Sequence, residues 1–155
     1  MFGFFRSAVV VDPELGTLRH ARGRWHGELK LAGTVIPVSL AGTRAAPGDS
    51  ALTEARSLSS KFESLRPAIE AALFEHYEPY SHAASAGELP ESVAAIDSPS
   101  DVWAHVSPQF ASIEPMDGVL TTEIAYAAEW DEEHLLGARF RAGKFLELCG
   151  SVVPP

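Results

Sequence analysis

Near the end of the chain, Trp130-Asp131-Glu132-Glu133-His134 sets three successive carboxylates between an indole and an imidazole. Carboxylates and imidazole exchange protons near neutral pH and bind hard cations, so the string offers proton transfer, ion coordination or the gripping of a cationic group. In a catalytic or ion-binding site, Glu133 would be the proton acceptor or oxygen ligand and His134 the acid, base or ligand. Such a site needs a second cluster from elsewhere, and His20, His26, Glu114 and Glu123 are the nominal contributors. A plainer structural account competes with these chemistries. Asp131 would cap a turn, His134 would lean on a neighbouring carboxylate or carbonyl, and Trp130 and Phe140 would be core.

Other chemistries find less in the chain. The His-Glu-x-x-His spacing that puts two imidazoles on one helical face is absent, and so is the Gly-x-Ser-x-Gly elbow of a serine nucleophile. Gly23, Gly27 and Gly33 sit in a strand-and-turn context without a following helix, which is not a phosphate loop. Cys149, the single cysteine, excludes an internal disulfide and lies in an apolar strand end, where it reads as a small buried hydrophobe. No metal and no cofactor are expected. Arg19 to His26 is a basic patch with one aromatic in it, and its arginines are expected to neutralise acidic side chains elsewhere in the chain.

The charge is lopsided. Residues 1–77 carry nine Lys or Arg against eight Asp or Glu, whereas residues 78–155 carry three against thirteen, within a net charge of -9. From Pro67 to Ala138 there is no Lys or Arg at all. Such a surface repels phosphates, which argues against nucleic acid as a partner and fits a cationic protein. The 155 residues, 46% hydrophobic and 21% charged, are enough for one domain over 1–155 with a real core. No apolar run reaches membrane-spanning length, and Met1 to Arg6 lacks a signal-peptide pattern, so a cytoplasmic location and no membrane partner are expected.

Periodicity shows which elements would hold the Trp130–His134 string. Phe2 to Val11 is an apolar run ending in the turn residues Asp12-Pro13-Glu14-Leu15-Gly16. Trp25, Gly27, Leu29 and Leu31 alternate with His26, Glu28 and Lys30, then Ala32-Gly33 turns the chain and Ile36, Val38 and Leu40 share one face. Pro37, lacking a backbone donor, predicts an edge or an irregularity in this meander. After Pro47 the period changes, and Leu52, Ala55, Leu58, Phe62, Leu65, Ile69, Leu73 and Tyr77 form one helical stripe, a core face rather than a cofactor box. Asp49 or Ser50 is the expected N-cap, Pro67 predicts a kink or two successive helices, and Ser81 to Pro90 reads as a loop.

A short helix is expected from Ser98-Pro99-Ser100-Asp101, with Val102, Trp103 and Val106 inward and Pro108 closing it. Strands return over Phe110 to Glu114, Val119 to Trp130, Ala138 to Arg141 and Phe145 to Val153, with turns at Met116-Asp117-Gly118 and Ala142-Gly143. The polar string is therefore a connection between two strands, where its side chains converge. The fold class is α+β: an antiparallel sheet of N-terminal and C-terminal strands, with helices at about 50–80 and 99–106 packed on one face.

Several of these strings together, Glu75-His76-Tyr77-Glu78, Ser98 to Trp103, Trp130 to His134 and Gly137-Ala138-Arg139-Phe140, resemble a family of small bacterial domains of unknown function. The resemblance covers about residues 10–153, and its marker is a Trp-Asp-Glu-Glu-His-Gly-Leu-Gly-like turn before an Arg-Phe strand; Leu135 stands where the first glycine is expected. It implies an α+β fold and carries no established activity, and similar small domains include immunity and accessory proteins. The sequence thus predicts a non-enzymatic interaction domain whose candidate site is Trp130, Asp131, Glu132, Glu133 and His134, facing a cationic partner. The alternative is an ion-binding or hydrolytic enzyme centred on the same turn.

Overall fold

A computed structural model describes residues 7–155. The start of the first expected strand, at Phe2 to Arg6, lies outside the described residues. Eight strands form one sheet in sequence order: β1 (Val9–Asp12), β2 (Gly16–Ala21), β3 (Arg24–Leu31), β4 (Thr34–Leu40), β5 (Val106–Met116), β6 (Val119–Ala128), β7 (Asp131–Arg141) and β8 (Lys144–Val152). All neighbours are antiparallel except β4 and β5, which pair in parallel. Between those two strands run the helix α1 (Asp49–Ser85) and a 3-10 helix, Pro99–Ala104. The α+β class stands. The strands, however, fill much more of the chain than its two ends, and among the described residues there is a single α-helix.

Four of the turns have the same chemistry. Arg22-Gly23, Ala32-Gly33, Asp117-Gly118 and Ala142-Gly143 each place two residues at positive φ, the backbone of two-residue hairpins whose twist matches that of the flanking strands. Glycine at the second position removes the steric cost there. The β1–β2 turn is held differently. Asp12 accepts from the backbone N–H groups of Glu14 and Leu15, and its other oxygen accepts from Arg56 of α1. The guanidinium holds the Asp12 carboxyl below its usual range against the opposing effect of burial.

Alternation along the strands puts Trp25, Leu29, Leu31, Ile36, Val38, Leu40, Ile113, Ile124 and Leu136 into one core. The helix closes it with Ala51, Ala55, Leu58, Phe62, Leu65, Ile69, Leu73 and Tyr77. This is the predicted stripe with Ala51 in place of Leu52, which is only partly buried. Registered positions on the other pleat are polar: Ser39 faces Ser112, Ser112 faces Glu123, Glu123 faces Arg139 and Arg139 faces Glu147.

Other expectations are corrected. α1 runs unbroken through Pro67 and Pro79, both exposed, so the carbonyls deprived of a partner face water. It also extends to Ser85, through half of the expected loop, and its N-cap is Gly48 rather than Asp49 or Ser50. The expected short helix is the 3-10 segment, and Val106 already belongs to β5. Pro108 lies within β5 beside a register shift. Pro37 sits inside the sheet, paired with Glu28 of β3 but one residue short of the parallel ladder to β5, where no donor is required of it. Cys149 is half-buried on β8 rather than in the core.

Candidate functional site

Strand β6 ends at Ala128, Glu129 and Trp130 turn the chain, and β7 starts at Asp131. The polar string is thus the start of a strand and not a connection. Its side chains nevertheless leave the ladder, because Ala128 faces Asp131 while Ala127 faces Leu135, so Glu132, Glu133 and His134 bulge out between those two pairs. No residue from Trp130 to Gly137 has positive φ, so Leu135 meets no steric obstacle where a glycine was expected. His134 Nδ1 lies 2.9 Å from Asp131 Oδ1.

The last turns of α1 supply the rest. His76 and Tyr80, one helical turn apart, face the start of β7. The Tyr80 hydroxyl donates to Asp131 Oδ2 at 3.0 Å, and the Trp130 indole N–H donates to His76 Nδ1 at 3.0 Å. Tyr77 meets the Trp130 ring edge-on at 5.4 Å between centroids, and its hydroxyl ties down the following segment by donating to the Ala94 carbonyl and accepting from the Ile96 N–H. Trp130 is 7% exposed and belongs to the core, as the plainer reading has it.

The electrostatics follow from these contacts. Burial alone would raise the Asp131 pKa, but hydrogen bonds from His134 and Tyr80, with the nearby imidazoles, outweigh it and hold the carboxyl below its usual range. The ionised carboxylate only accepts, so His134 donates to it from Nδ1. Burial lowers the His76 pKa and raises that of Tyr80, where the Asp131 hydrogen bond acts in the same direction. Tyr80 thus stays a donor.

Tyr80, Trp130, Asp131 and His134 line one side of an open cleft of about 380 Å³, and the Leu89–Val93 segment lines the other. Five carboxylates border it, Glu91, Glu129, Asp131, Glu132 and Glu133, and among the described residues no Lys or Arg does. Glu132 and Glu133 are exposed. Among the described residues, no group of three or more His, Cys, Asp or Glu is arranged to hold a metal ion.

The nominal second cluster is not brought here. His20 packs edge-on against Trp25, His26 Nε2 lies 3.0 Å from the Ala21 carbonyl, and Glu114 pairs with Arg24 at 2.8 Å. Glu123, buried, accepts from Arg139 at 2.6 Å, and the same guanidinium reaches Glu147. Gly137 explains the room for this pair, since a Cβ there would lie 2.8 Å from Glu123 Oε2. The basic patch does neutralise an acid in the second half of the chain, through the Arg24–Glu114 pair. Sequence reasoning overlooked His76 and Tyr80 as site residues; their spacing of four along a helix was the available signal, hidden by ending the stripe at Tyr77.

Among the described residues, no helix is long and apolar enough to cross a membrane. No curated protein and no solved structure matches the chain. A family model, described as a domain of unknown function (DUF6985), matches residues 14–152, which takes in all but the first five residues from β1 to the end of β8, the Trp130–His134 bulge and the buried Glu123–Arg139 pair; the chain belongs to the DUF6985 family.

Proposed function

We propose that the chain is a protein-interaction domain that seats a Lys or Arg side chain of its partner in the cleft beside Trp130, Asp131, Glu132, Glu133 and His134. The observation that carries this is the cleft lining, which among the described residues has five carboxylates and no Lys or Arg, set against Tyr80 and Trp130. Ammonium and guanidinium groups are donors only, and the cleft offers acceptors in the exposed Glu132 and Glu133. A concave acidic wall also focuses the field, so association is fast and weakens with salt. The acidic bias of residues 78–155 supports the same partner chemistry.

A hexa-arginine peptide tests the proposal by NMR titration. The Trp130 indole and His134 ring signals should shift saturably, and the joint substitution Glu132→Gln and Glu133→Gln should weaken binding about tenfold, as expected for losing charge-assisted contacts. Shifts scattered over the whole acidic surface, or unchanged binding by the double variant, would overturn it. The enzymatic alternative draws on the Asp131–His134 hydrogen bond alone, the arrangement that orients a general base. It requires hydrolysis of an activated ester such as nitrophenyl acetate, lost in His134→Gln.

A further inference from the structure

A second cleft, of about 370 Å³, shares no residue with the acidic one. It opens between α1, the 3-10 helix and the start of β5, with Leu31 and Pro108 among its apolar lining. Its aromatic side is a chain of edge-on contacts, Phe62 to Trp103 at 6.0 Å and Trp103 to Tyr126 at 5.9 Å between centroids. Among the described residues Arg66 is its only charged lining residue, with the guanidinium carbon 5.0 Å from the centre of the Trp103 ring.

Tyr126 is 1% exposed, and its hydroxyl is buried without a hydrogen-bond partner among the described residues. A buried hydroxyl normally has one, because losing water without replacement is costly. Burial pushes the phenol pKa upward, with Arg66 pulling weakly in the opposite direction, so the group is a neutral donor near a cation. Arg66 is fixed over the ring by Glu70, which accepts from Arg66 Nε at 3.2 Å and also from the Trp103 indole N–H, and it forms a second, looser pair with exposed Glu63 at 3.6 Å. Two lining residues, Tyr126 and Arg66, thus carry an unused buried O–H donor and a positioned cation behind flat apolar walls. An acceptor with negative charge completes that set, and an apolar body fills the rest; the volume lies within the range of roughly 300 to 1,000 Å³ usual for small-molecule sites.

We propose that this cleft binds a small carboxylate with a flat apolar body, whose carboxylate accepts from the Tyr126 hydroxyl and the Arg66 guanidinium while its body packs against Phe62 and Trp103. The site is independent of the protein-binding cleft. The charge on Arg66 selects an anion over a cation, and the Tyr126 O–H selects an acceptor over a hydrocarbon.

Naphthylacetate, its uncharged amide naphthylacetamide and the cation naphthylethylamine are matched probes, read by NMR shifts of the Trp103 indole and by thermal stabilisation of the full chain. Naphthylacetate should shift Trp103 saturably and raise the Tm, with the amide binding about tenfold more weakly and the amine not at all. Tyr126→Phe removes only the hydroxyl, keeps the aromatic contacts, and should fold with an unchanged or raised Tm while losing about tenfold in naphthylacetate affinity. Arg66→Gln should lose affinity for the acid and not for the amide. Equal binding of all three probes would mean an apolar crevice only, and no Trp103 shift at the solubility limit of naphthylacetate, or an unaltered affinity in Tyr126→Phe, would likewise overturn the proposal.

Discussion

His76 accepts the Trp130 indole N–H on Nδ1, and that bond exists only while Nδ1 keeps its lone pair. Protonating the ring would set a donor against a donor in a partly buried place. Burial, reinforced by His134 and only partly offset by Asp131, lowers the pKa of His76 from its ordinary 6.5. The folded ring therefore binds its proton less tightly than the unfolded one. Its contribution to stability is complete above about pH 6.5 and is lost as pH falls from there through the lower folded value. His76→Phe should unfold less readily on acidification between about pH 7 and 5 than the native chain does, relative to each protein's own stability at pH 7; urea midpoints at several pH values measure it, and equal slopes would refute the assignment. Gly137 makes the second prediction at this scale. Because Glu123 is buried and locked by Arg139, the carboxylate cannot swing away from a new methyl group, and Val152 Cγ1 crowds it equally at 2.8 Å. Gly137→Ala should cost roughly 1–3 kcal/mol in denaturant unfolding. That a neighbouring carboxylate would hold His134 was legible, because only two residues separate it from Asp131 in one polar string. The contacts of His76 and Tyr80 were not: their spacing of four puts the two on one helix face, but nothing local says that this face meets residues 54 and 51 positions further on.

Helix α1 shows what a local pattern tells and what it hides. Spacings of three and four name its buried face almost residue for residue, because that face must meet the sheet whatever else happens. Pro67 was misleading: a missing N–H and a crowded Arg66 speak against a helix, but tertiary packing of Leu65 and Ile69 on either side outweighs the local cost. That cost is still present. Replacing exposed Pro67 by Ala restores a hydrogen bond to the Glu63 carbonyl and should stabilise the chain by about 1–3 kcal/mol, less the loosening of the unfolded state. Ile69→Ala, two residues on but fully buried, should instead destabilise by about 2–5 kcal/mol. Thermal and urea unfolding of the two variants distinguish the faces, and a destabilised Pro67→Ala would show that the proline is needed where it stands. The X-Gly hairpins were equally legible, since positive φ demands particular residues. The bulge at Glu132 to His134 was not, because it arises from where β6 happens to end.

The parallel seam between β4 and β5 joins a four-stranded meander on each side, and it was the feature of the whole molecule that no local signal carried. Alternation places residues on a face without stating which strand lies alongside, or in which direction; only the long connection from Ala41 to His105, containing α1, is compatible with a crossover. Three registered pairs make the seam: Val38 with Ala111, Ser39 with Ser112 and Leu40 with Ile113. So short a ladder would let the halves open separately if it acted alone. It does not act alone, because α1 packs against β3 and β4 on one side and β5, β6 and β8 on the other. Leu40, Ile69, Leu73 and Ile113, all fully buried, belong to one continuous core across the seam. Opening either meander would thus expose the helix face that the other needs, and the two should unfold as one unit. Native-state hydrogen exchange tests this directly. The slowest amides of β3, β4, β5 and β6 should share one opening free energy, and Ile113→Ala should lower all of them together by about 2–5 kcal/mol. Lowered protection confined to β5–β8, with β3 and β4 unchanged, would mean that the helix fails to couple the halves and that the seam is a boundary between two folding units.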